Sequence, residues 1–255
     1  RRQMEKFEQE KEREVYHAKI DFFTNVAHEI RTPLTLIKGP LENIILKKQV
    51  DAETREDLNV MKQNTERLLN LTNQLLDFRK TESQGFRLNF AKCNITEVLK
   101  ETHVRFTSLA KQKGLDFTLQ VPEKDFYAHV NQEAFTKIIS NLLNNGMKYA
   151  ESYVHVMLEA PQRDDNNLFR IRTVNDGVII PDAMKEEIFK PFVRLDKEDE
   201  VTTGTGIGLA LSRSLAELHQ GSLMMEKGEE VNCFCLTLPV NQDSTITLSA
   251  ENVSQ

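Results

Sequence analysis

The sequence contains no tryptophan, only three cysteines and no long apolar run, and the last two features bear on the class of protein. No segment approaches the roughly 18 consecutive apolar residues of a membrane-spanning helix. Three scattered cysteines do not make a disulfide framework, which is typical of a reducing compartment. A formal net charge of −6 argues against nucleic-acid binding, because such surfaces carry a basic excess. The first residues are charged rather than apolar, so we expect no signal peptide and instead a piece of a longer chain.

The first third of the chain predicts a helical hairpin. Residues 1–47 are typical of one long helix, because their apolar residues alternate spacings of four and three. This seam consists of Phe23, Ala27, Ile30, Leu34, Ile37, Leu41 and Ile44. A second helix, predicted to end near Lys80, carries the same pattern in Leu58, Met61, Thr65, Leu68, Thr72 and Leu75. Both seams are too long for one hairpin to cover, so we expect two copies to form a dimeric four-helix bundle.

After the linker-like stretch T-E-S-Q-G the pattern changes to short strands mixed with helices. Strands are predicted at residues 86–91, 115–121, 126–130, 153–158, 168–174, 222–226 and 233–240. Helices are predicted around residues 95–109, 135–143, 184–189 and 207–218, and a frayed tail from Asn241. This order favours an α+β sandwich with helices on one face of a mostly antiparallel sheet. Cys233 and Cys235 alternate with apolar residues, which indicates strand packing rather than a metal site.

The segment H-E-I-R-T-P-L on the first helix contains a candidate reactive histidine. Most single histidines on helices are ordinary surface residues, but His28 follows the seam residue Ala27 and therefore flanks the core. Glu29 is placed to take the proton from one ring nitrogen and leave the other free to attack. Pro33 has no N–H group, so the helix loses its hydrogen bond to the Glu29 carbonyl and can bend there.

A longer stretch around this histidine resembles the phosphoacceptor box of bacterial sensor histidine kinases: F-F-T-N-V-A-H-E-I-R-T-P-L-T-L-I-K-G-P-L-E. Its residues are similar to those of hybrid two-component sensors. The resemblance covers nearly the whole chain. It implies that His28 takes a phosphoryl group from ATP, with Glu29 as its base. It further implies that Thr32 orients water to dephosphorylate a partner response regulator, whose aspartate is the final phosphoryl acceptor.

The same resemblance implies a division of the chain. Residues 1–20 would be a lead-in signalling helix, 21–81 a dimerisation and phosphotransfer hairpin, 82–87 a linker, 88–240 a catalytic ATP-binding domain and 241–255 a tail. The fold would be the α helical hairpin followed by an α+β sandwich of the gyrase, chaperone and histidine-kinase ATPase type. The whole would be the cytoplasmic portion of a bacterial inner-membrane sensor, attached to the membrane only through upstream segments. Its partners would be a second copy and a receiver domain, either separate or C-terminal in the same polypeptide.

N-L-L-N-N-G-M-K-Y-A resembles the asparagine box of that family. Asn141, Asn145 and Lys148 are spaced four and three apart and so lie on one helix face. Amide oxygens of Asn141 and Asn145 suit Mg²⁺, which prefers hard oxygen ligands. Lys148 would contact phosphate as a point charge, and Tyr149 would add a further contact with the nucleotide. The alternative is an ordinary polar helix face, although asparagine is a poor helix former.

I-F-K-P-F-V-R-L resembles the phenylalanine box. Phe189 and Phe192 would anchor one end of a lid, and Phe192 and Arg194 are implied contacts of the nucleotide. Core packing is the alternative for both rings and is compatible with that role. Residues 196–203 are polar and long enough to form the lid.

G-T-G-I-G-L-A-L places Gly204, Gly206 and Gly208 at the beginning of a helix. Glycines let backbone N–H groups approach phosphates, and a helix N-terminus favours negative charge. A glycine triplet alone is weak evidence. Here it follows the other boxes in the order and spacing of the family.

V-N-D-G-V-I-I-P (residues 174–181) departs from the family turn, which reads approximately Asp-x-Gly-x-Gly and whose aspartate accepts a hydrogen bond from adenine. Asn175 stands at the aspartate position, Gly177 is retained and Ile179 replaces the second glycine. Losing the carboxylate charge would cost about 1–2 kcal/mol, roughly a ten- to thirtyfold weaker affinity for ATP. Ile179 would cost about 1–3 kcal/mol unless its side chain packs outward. Asp176 would replace Asn175 only if the turn shifted by one residue.

Three functions fit these observations. The first is an ATP-dependent histidine autokinase that passes phosphate from His28 to a regulator. The second is a degenerate module, with weak or no ATP binding, that acts as a dimeric signalling scaffold; the Asn175 and Ile179 departures favour it. The third is another ATPase of the gyrase and chaperone superfamily, which H-E-I-R-T-P argues against.

Overall fold

The computed structural model describes residue 24 and residues 26–46, 51–83, 87–161, 167–195, 206–226 and 230–242. The chain divides into two compact units, Arg1–Phe86 with Val201–Ile207, and Arg87–Glu200 with Gly208–Gln255. The predicted lead-in helix, the predicted lid at residues 196–203 and the tail beyond residue 242 lie outside the described residues. The same holds for the hairpin turn predicted at R-D-D-N-N (residues 163–167), except for its last residue, Asn167.

In the part of the first unit that the structure describes, the helices α1 (residues 26–46) and α2 (Ala52–Glu82) run antiparallel. Arg31 donates a hydrogen bond of 2.6 Å to Asn73 Oδ1, and Lys38 lies 3.5 Å from the Glu66 carboxylate. The residue numbers in these two pairs increase along α1 and decrease along α2, so the two helices are antiparallel. The predicted helical hairpin is therefore confirmed. α2 begins after Asp51, whose carboxylate accepts a hydrogen bond from the Thr54 N–H at 2.8 Å and caps the helix.

The predicted seam of α1 separates into two stripes with different exposure. Ala27, Leu34 and Leu41, seven residues apart, are 3%, 8% and 5% exposed and form the inside of the hairpin together with Thr65 and Thr72 of α2. The second stripe, also spaced by seven, stays 39–45% exposed and consists of Ile30, Ile37 and Ile44. Met61 and Leu68 of α2 are similarly exposed. The hairpin alone therefore leaves half of its apolar seam uncovered.

The described residues of the second unit form a sandwich of three α-helices and a five-stranded sheet, which confirms the predicted α+β architecture. The helices are α3 (Ile95–Lys113), α4 (Gln132–Tyr149) and α5 (Gly208–Leu218). The strands are β2 (Asp116–Gln120), β4 (Tyr153–Glu159), β5 (Leu168–Asn175), β6 (Ser222–Met225) and β7 (Asn232–Pro239), in the order β2-β4-β5-β7-β6. β2 and β4 are parallel, and the other neighbours are antiparallel. β1 (Ala91–Asn94) and β3 (Tyr127–Val130) form a separate antiparallel ribbon.

The core lies between the helices and one face of this sheet. Alternate residues of β4 and β5 are buried, as expected for strands with one covered face. The predicted apolar face of α4, from Phe135 to Leu143, is 1% exposed or less. Cys233 and Cys235 are buried on β7, so their predicted role in strand packing is confirmed. No described helix has the length and apolar character needed to cross a membrane.

The strand predicted at residues 86–91 is wrong, because the strand that pairs with β3 is Ala91–Asn94. Side chains rather than a strand partner hold residues 87–90. The Asn131 side-chain amide donates to the Asn89 carbonyl at 3.0 Å, and the Phe90 ring lies 5.4 Å from the His219 ring. An alternating pattern alone does not specify whether a neighbouring strand is available.

His219 is a fully buried histidine that joins three elements of this unit. Its Nδ1–H donates to the Leu215 carbonyl at 2.7 Å, and its Nε2 accepts the Asn131 N–H at 3.1 Å. Burial lowers the pKa of His219, which keeps the ring neutral and allows Nε2 to accept. The ring thereby fixes the end of α5 to the beginning of α4 and to Phe90.

The helix predicted at residues 184–189 is also wrong. The segment contains two separate 3₁₀ turns, Asp182–Met184 and Glu187–Phe189. Pro181 and Pro191 flank it and leave too few residues for a stable α-helix. The turns bury Ile188 and Phe189, which explains the apolar spacing that suggested a helix.

Candidate functional site

The residues predicted for phosphoryl transfer lie on α1 and face solvent. His28, Glu29 and Thr32 are all exposed, whereas Ala27 is buried. His28 and Thr32 are four residues apart and therefore lie on the same face of the helix. α1 remains helical through Pro33. The imidazole is thus accessible to a reactant, with a carboxylate next to it in the sequence.

The predicted asparagine box forms the half-buried polar face of α4. Leu142, Leu143 and Met147 are buried beneath Asn141, Asn145 and Lys148, which are half-buried. The side-chain amide of Asn141 donates to the Gly208 carbonyl and to Ser212 Oγ, both at 3.2 Å. Both bonds use Nδ2 and leave the amide oxygen for a ligand. Asn141 therefore connects α4 to the first turn of α5, where the predicted phosphate loop ends.

Lys148 and Tyr149 end α4. Lys148 Nζ lies 2.6 Å from the Tyr149 hydroxyl and 4.3 Å from the centre of its ring, and Tyr149 is 46% exposed. Gly206 has φ +68°, which places it in the left-handed region that favours glycine. Gly204 lies outside the described residues.

Asp176 fixes the nucleotide loop, defined here as residues 175–180, to the beginning of β4. The backbone N–H groups of Glu151, Ser152 and Tyr153 donate to its carboxylate at 3.0–3.1 Å, and the Ser152 hydroxyl donates to Oδ2. Partial burial raises the pKa of Asp176, but the hydrogen bonds from Ser152 and the backbone outweigh it and hold the pKa well below its usual range. The carboxylate is saturated with donors, so it does not take the place of Asn175 in binding a base.

Asn232, which sequence reasoning missed, holds the other side of the nucleotide loop. Its Nδ2 donates to the Val178 carbonyl at 2.9 Å and to the Gly177 carbonyl at 3.3 Å, and its Oδ1 accepts the Ile180 N–H at 3.0 Å. The side chain is 3% exposed, and the residue lies opposite Asn175 on the neighbouring strand. Its position between Val231 and Cys233 in an apolar strand gave no signal of this role.

The two glycine positions of the loop behave differently. A Cβ at Gly177 would lie 1.8 Å from the Tyr149 carbonyl oxygen, so only glycine fits there. Ile179, at the position where the resemblance implies a second glycine, is 40% exposed, and its neighbour Val178 is 82% exposed. The Ile179 side chain therefore points away from the inside of the loop. The free-energy cost of overpacking that the sequence suggested does not arise.

Asn175 ends β5 and is the buried polar side chain of the loop. It is 3% exposed, and its Nδ2 has no hydrogen-bond partner. A buried amide N–H group without an acceptor lowers the stability of the folded protein unless a ligand accepts its hydrogen bond. The Asn175 amide and the amide oxygens of Asn141 and Asn145 are groups that suit a purine nucleotide held with Mg²⁺, so the residue types present fit that ligand.

The predicted phenylalanine box is anchored by Arg213 of α5, a residue that sequence reasoning also missed. The Phe189 ring packs against Phe234 at 6.3 Å, and the Arg213 guanidinium lies 4.0 Å from its centre. Arg213 also bonds to Glu186 at 2.9 Å and to the Leu223 carbonyl at 3.2 Å. Phe189 is therefore a core residue.

The other two predicted residues of this box lie beyond Phe189, at the limit of the described segment. Phe192 has φ +68°, an uncommon backbone conformation for a bulky residue. Arg194 is exposed. Both residues stay predictions as contacts of the nucleotide.

Two other features of the sandwich lie apart from the predicted ligands. A shallow depression of about 650 Å³ is lined by Lys100, Glu101, Val104, Arg105, Gln132 and Thr136, none of which is a predicted site residue.

On β7, burial and the neighbouring Glu226 carboxylate raise the pKa of Cys233 to about 12, which keeps this thiol protonated and unreactive. Within the described ranges, no cluster of three or more His, Cys, Asp or Glu residues could hold a metal ion.

Two family models match the chain in the same order as the two units. The model of the His Kinase A (phospho-acceptor) domain matches residues 18–84. The model described as Histidine kinase-, DNA gyrase B-, and HSP90-like ATPase matches residues 130–242. The first match excludes a gyrase- or chaperone-type ATPase without a phosphoacceptor helix.

Curated relatives match over nearly all of the chain. Histidine kinase P4 of Formosa agariphila is 31% identical over 95% of this chain and 18% of its own length. Hybrid signal transduction histidine kinase D of Dictyostelium discoideum is 32% identical over 96% of this chain and 17% of its own length. Sensor histidine kinase WalK of Bacillus subtilis is 28% identical over 88% of this chain and 37% of its own length. The chain therefore spans less than two-fifths of each of these relatives.

Solved structures share the fold. Full-length ShkA in complex with AMPPNP matches with a TM-score of 0.72 and 21% identity, over 88% of this chain and 47% of that one. Histidine kinase ThkA in complex with response regulator protein TrrA matches with a TM-score of 0.61 and 24% identity, over 92% of this chain and 66% of that one.

We expect Gly177→Ala to abolish nucleotide binding. The added methyl would meet the Tyr149 carbonyl oxygen at 1.8 Å, so the loop must move away from α4 and carry Asn175 with it. Calorimetric titration with Mg–ADP measures the effect. Gly39→Ala on α1 is the matched control, because a Cβ there meets nothing within 4 Å. Wild-type affinity in Gly177→Ala would contradict this account of the loop.

Proposed function

Because the chain belongs to the sensor histidine kinases of two-component systems, we propose that it transfers the γ-phosphoryl group of ATP to His28 and then to an aspartate of a response regulator. The observation that carries the proposal is the combination, in one chain, of an exposed histidine on a hairpin helix with an ATPase-type sandwich. The outward packing of Ile179 and the fixed loop support a functional nucleotide site rather than an idle scaffold.

His28 and Glu29 supply the chemistry of the first step. Glu29 accepts the proton from one ring nitrogen, which raises the electron density at the other nitrogen and lets it attack phosphorus. The exposure of both side chains allows a nucleotide bound elsewhere to reach them. Thr32, on the same helix face, orients a water molecule that hydrolyses the phosphorylated aspartate of the regulator.

The sandwich unit holds the nucleotide. Asn141 and Asn145 supply amide oxygens for Mg²⁺, which neutralises phosphate charge when bound. Lys148 contacts phosphate, and Asn175 contacts the base beside Gly177. The remaining proposed contacts with the nucleotide are Tyr149, Phe192, Arg194, Gly204, Gly206 and Gly208.

The exposed stripe of the hairpin supports a homodimer. Ile30, Ile37 and Ile44 form a continuous apolar row that a second hairpin would bury in a four-helix bundle. ThkA was solved in complex with a response regulator, which supports the same class of partner here.

We assign residues 1–20 to signal input, 21–81 to dimerisation and phosphotransfer, 82–87 to the linker, 88–240 to ATP binding and 241–255 to a tail. In this proposal the chain is the cytoplasmic part of an inner-membrane sensor.

We expect Ile37→Glu to convert the dimer into a monomer. The substitution places a carboxylate in the centre of the apolar stripe, where the partner hairpin would have to desolvate it. Sedimentation equilibrium measures the mass. Leu36→Glu is the control, because Leu36 is 70% exposed and lies outside the stripe. A dimer that survives Ile37→Glu but dissociates in Leu36→Glu would assign the interface to another face.

Incubation with γ-labelled ATP and Mg²⁺ tests the kinase function. Wild type is expected to acquire acid-labile label, and His28→Ala is expected to lose it because the attacking nitrogen is gone. His129→Ala removes another exposed histidine and should keep the label. Absence of label in wild type, together with no ADP binding by calorimetry, would identify the chain as a signalling scaffold instead.

A further inference from the structure

We propose that Asn175 relaxes the base selectivity of the nucleotide site, so that guanosine triphosphate serves as a phosphoryl donor beside ATP. The inference rests on the proposed histidine kinase function and concerns the nucleotides that the same site accepts. It follows from the replacement of a carboxylate by an amide at a buried position whose surroundings are fixed.

The fixed surroundings come from the two neighbours of Asn175. Asp176 accepts hydrogen bonds from three backbone N–H groups and the Ser152 hydroxyl, so its carboxylate is turned towards β4. Asn232 uses both ends of its amide on the backbone of the loop. A shift of the turn by one residue would break both sets of bonds. The loop therefore keeps Asn175, and no carboxylate, at the position that reads the base.

The Asn175 amide itself is the unsatisfied group of the loop. Its Nδ2 is buried without a partner and lies 3.0 Å from the point that a Cβ at Gly177 would occupy. No acceptor of the protein holds this nitrogen, so no hydrogen bond of Nδ2 prevents the amide from turning its donor towards a ligand. A donor suits an acceptor such as the guanine O6 and does not suit the adenine amino group.

The two purines differ in the order of donors and acceptors on their pairing edge. Adenine carries an amino donor next to the ring acceptor N1, and guanine carries the acceptor O6 next to the ring donor N1–H. A carboxylate only accepts, so it pairs with the adenine amino group and is repelled by O6. An amide has one acceptor and one donor, and rotation by 180° about its terminal bond exchanges them. Asn175 can therefore pair with the edge of either base.

The reaction with the guanine nucleotide has the same atomic balance as with ATP. A ring nitrogen of His28 forms a bond to the γ-phosphorus, and the bond from that phosphorus to the bridging oxygen breaks. The electron pair leaves with GDP, and the ring proton passes to Glu29. Only the base, which lies away from the reacting atoms, differs between the two donors.

The test compares kcat/KM for ATP and GTP in labelling of His28 by the whole chain with Mg²⁺. In wild type we expect the two values to agree within about tenfold, because each base pairs with one orientation of the amide. Asn175→Asp is expected to raise the preference for ATP by a further factor of about ten or more, through a higher KM for GTP. Gln120→Glu makes the same amide-to-carboxylate change at an exposed position of β2 and should leave the ratio unchanged.

A wild type that uses ATP and rejects GTP as strongly as Asn175→Asp does would overturn the proposal and leave the kinase function intact. Absence of label with either nucleotide would instead contradict the kinase function. In that case calorimetry with Mg–ADP and Mg–GDP still decides the base selectivity. Comparable affinities support the proposal, whereas binding of ADP alone, or of neither nucleotide, overturns it. Thermal unfolding of Asn175→Asp establishes that a changed ratio does not come from a misfolded domain.

Discussion

The carboxylate of Asp176 gathers three consecutive backbone N–H groups at the beginning of β4, and the nucleotide loop depends on this contact. Hydrogen bonds to an ionised group are stronger than neutral ones, so the loop is held firmly on this side. Asn232 holds the opposite side through bonds to three loop residues. Between these two supports the loop cannot shift its register, and Asn175 remains buried at the end of β5.

This arrangement explains how the loop departs from its family pattern and still forms. Gly177 is indispensable because it touches the Tyr149 carbonyl, whereas Ile179 faces outward and occupies no space inside the loop. Asn175 stands where the resemblance implies an aspartate, and the hydrogen bonds of Asp176 and Asn232 hold the loop on both sides of the strand end that carries it. The polar face of α4 is connected separately to α5 through Asn141, and this contact involves no residue of the nucleotide loop.

Periodicity and local motifs predicted the hairpin, the sandwich and the elements that carry the candidate site. The spacing of Ala27, Leu34 and Leu41 determines a helix face directly, because packing follows the helical repeat. Asn232 could not be predicted, since its three partners are 52 to 55 residues away and nothing near it marks a polar role. The start of β1 and the 3₁₀ turns around Met184 depend on tertiary partners that a local pattern does not contain.

The amide protons of Asn175 report directly whether this side chain contacts the base of a bound nucleotide. Nuclear magnetic resonance of asparagine side-chain amides during titration with Mg–ADP is the measurement, with Asn175→Asp used to assign the signal. We predict a large shift of the Asn175 amide and a small one for Asn232, whose amide is already bonded within the protein. An Asn175 amide signal that does not move at saturating nucleotide would show that Asn175 does not contact the base.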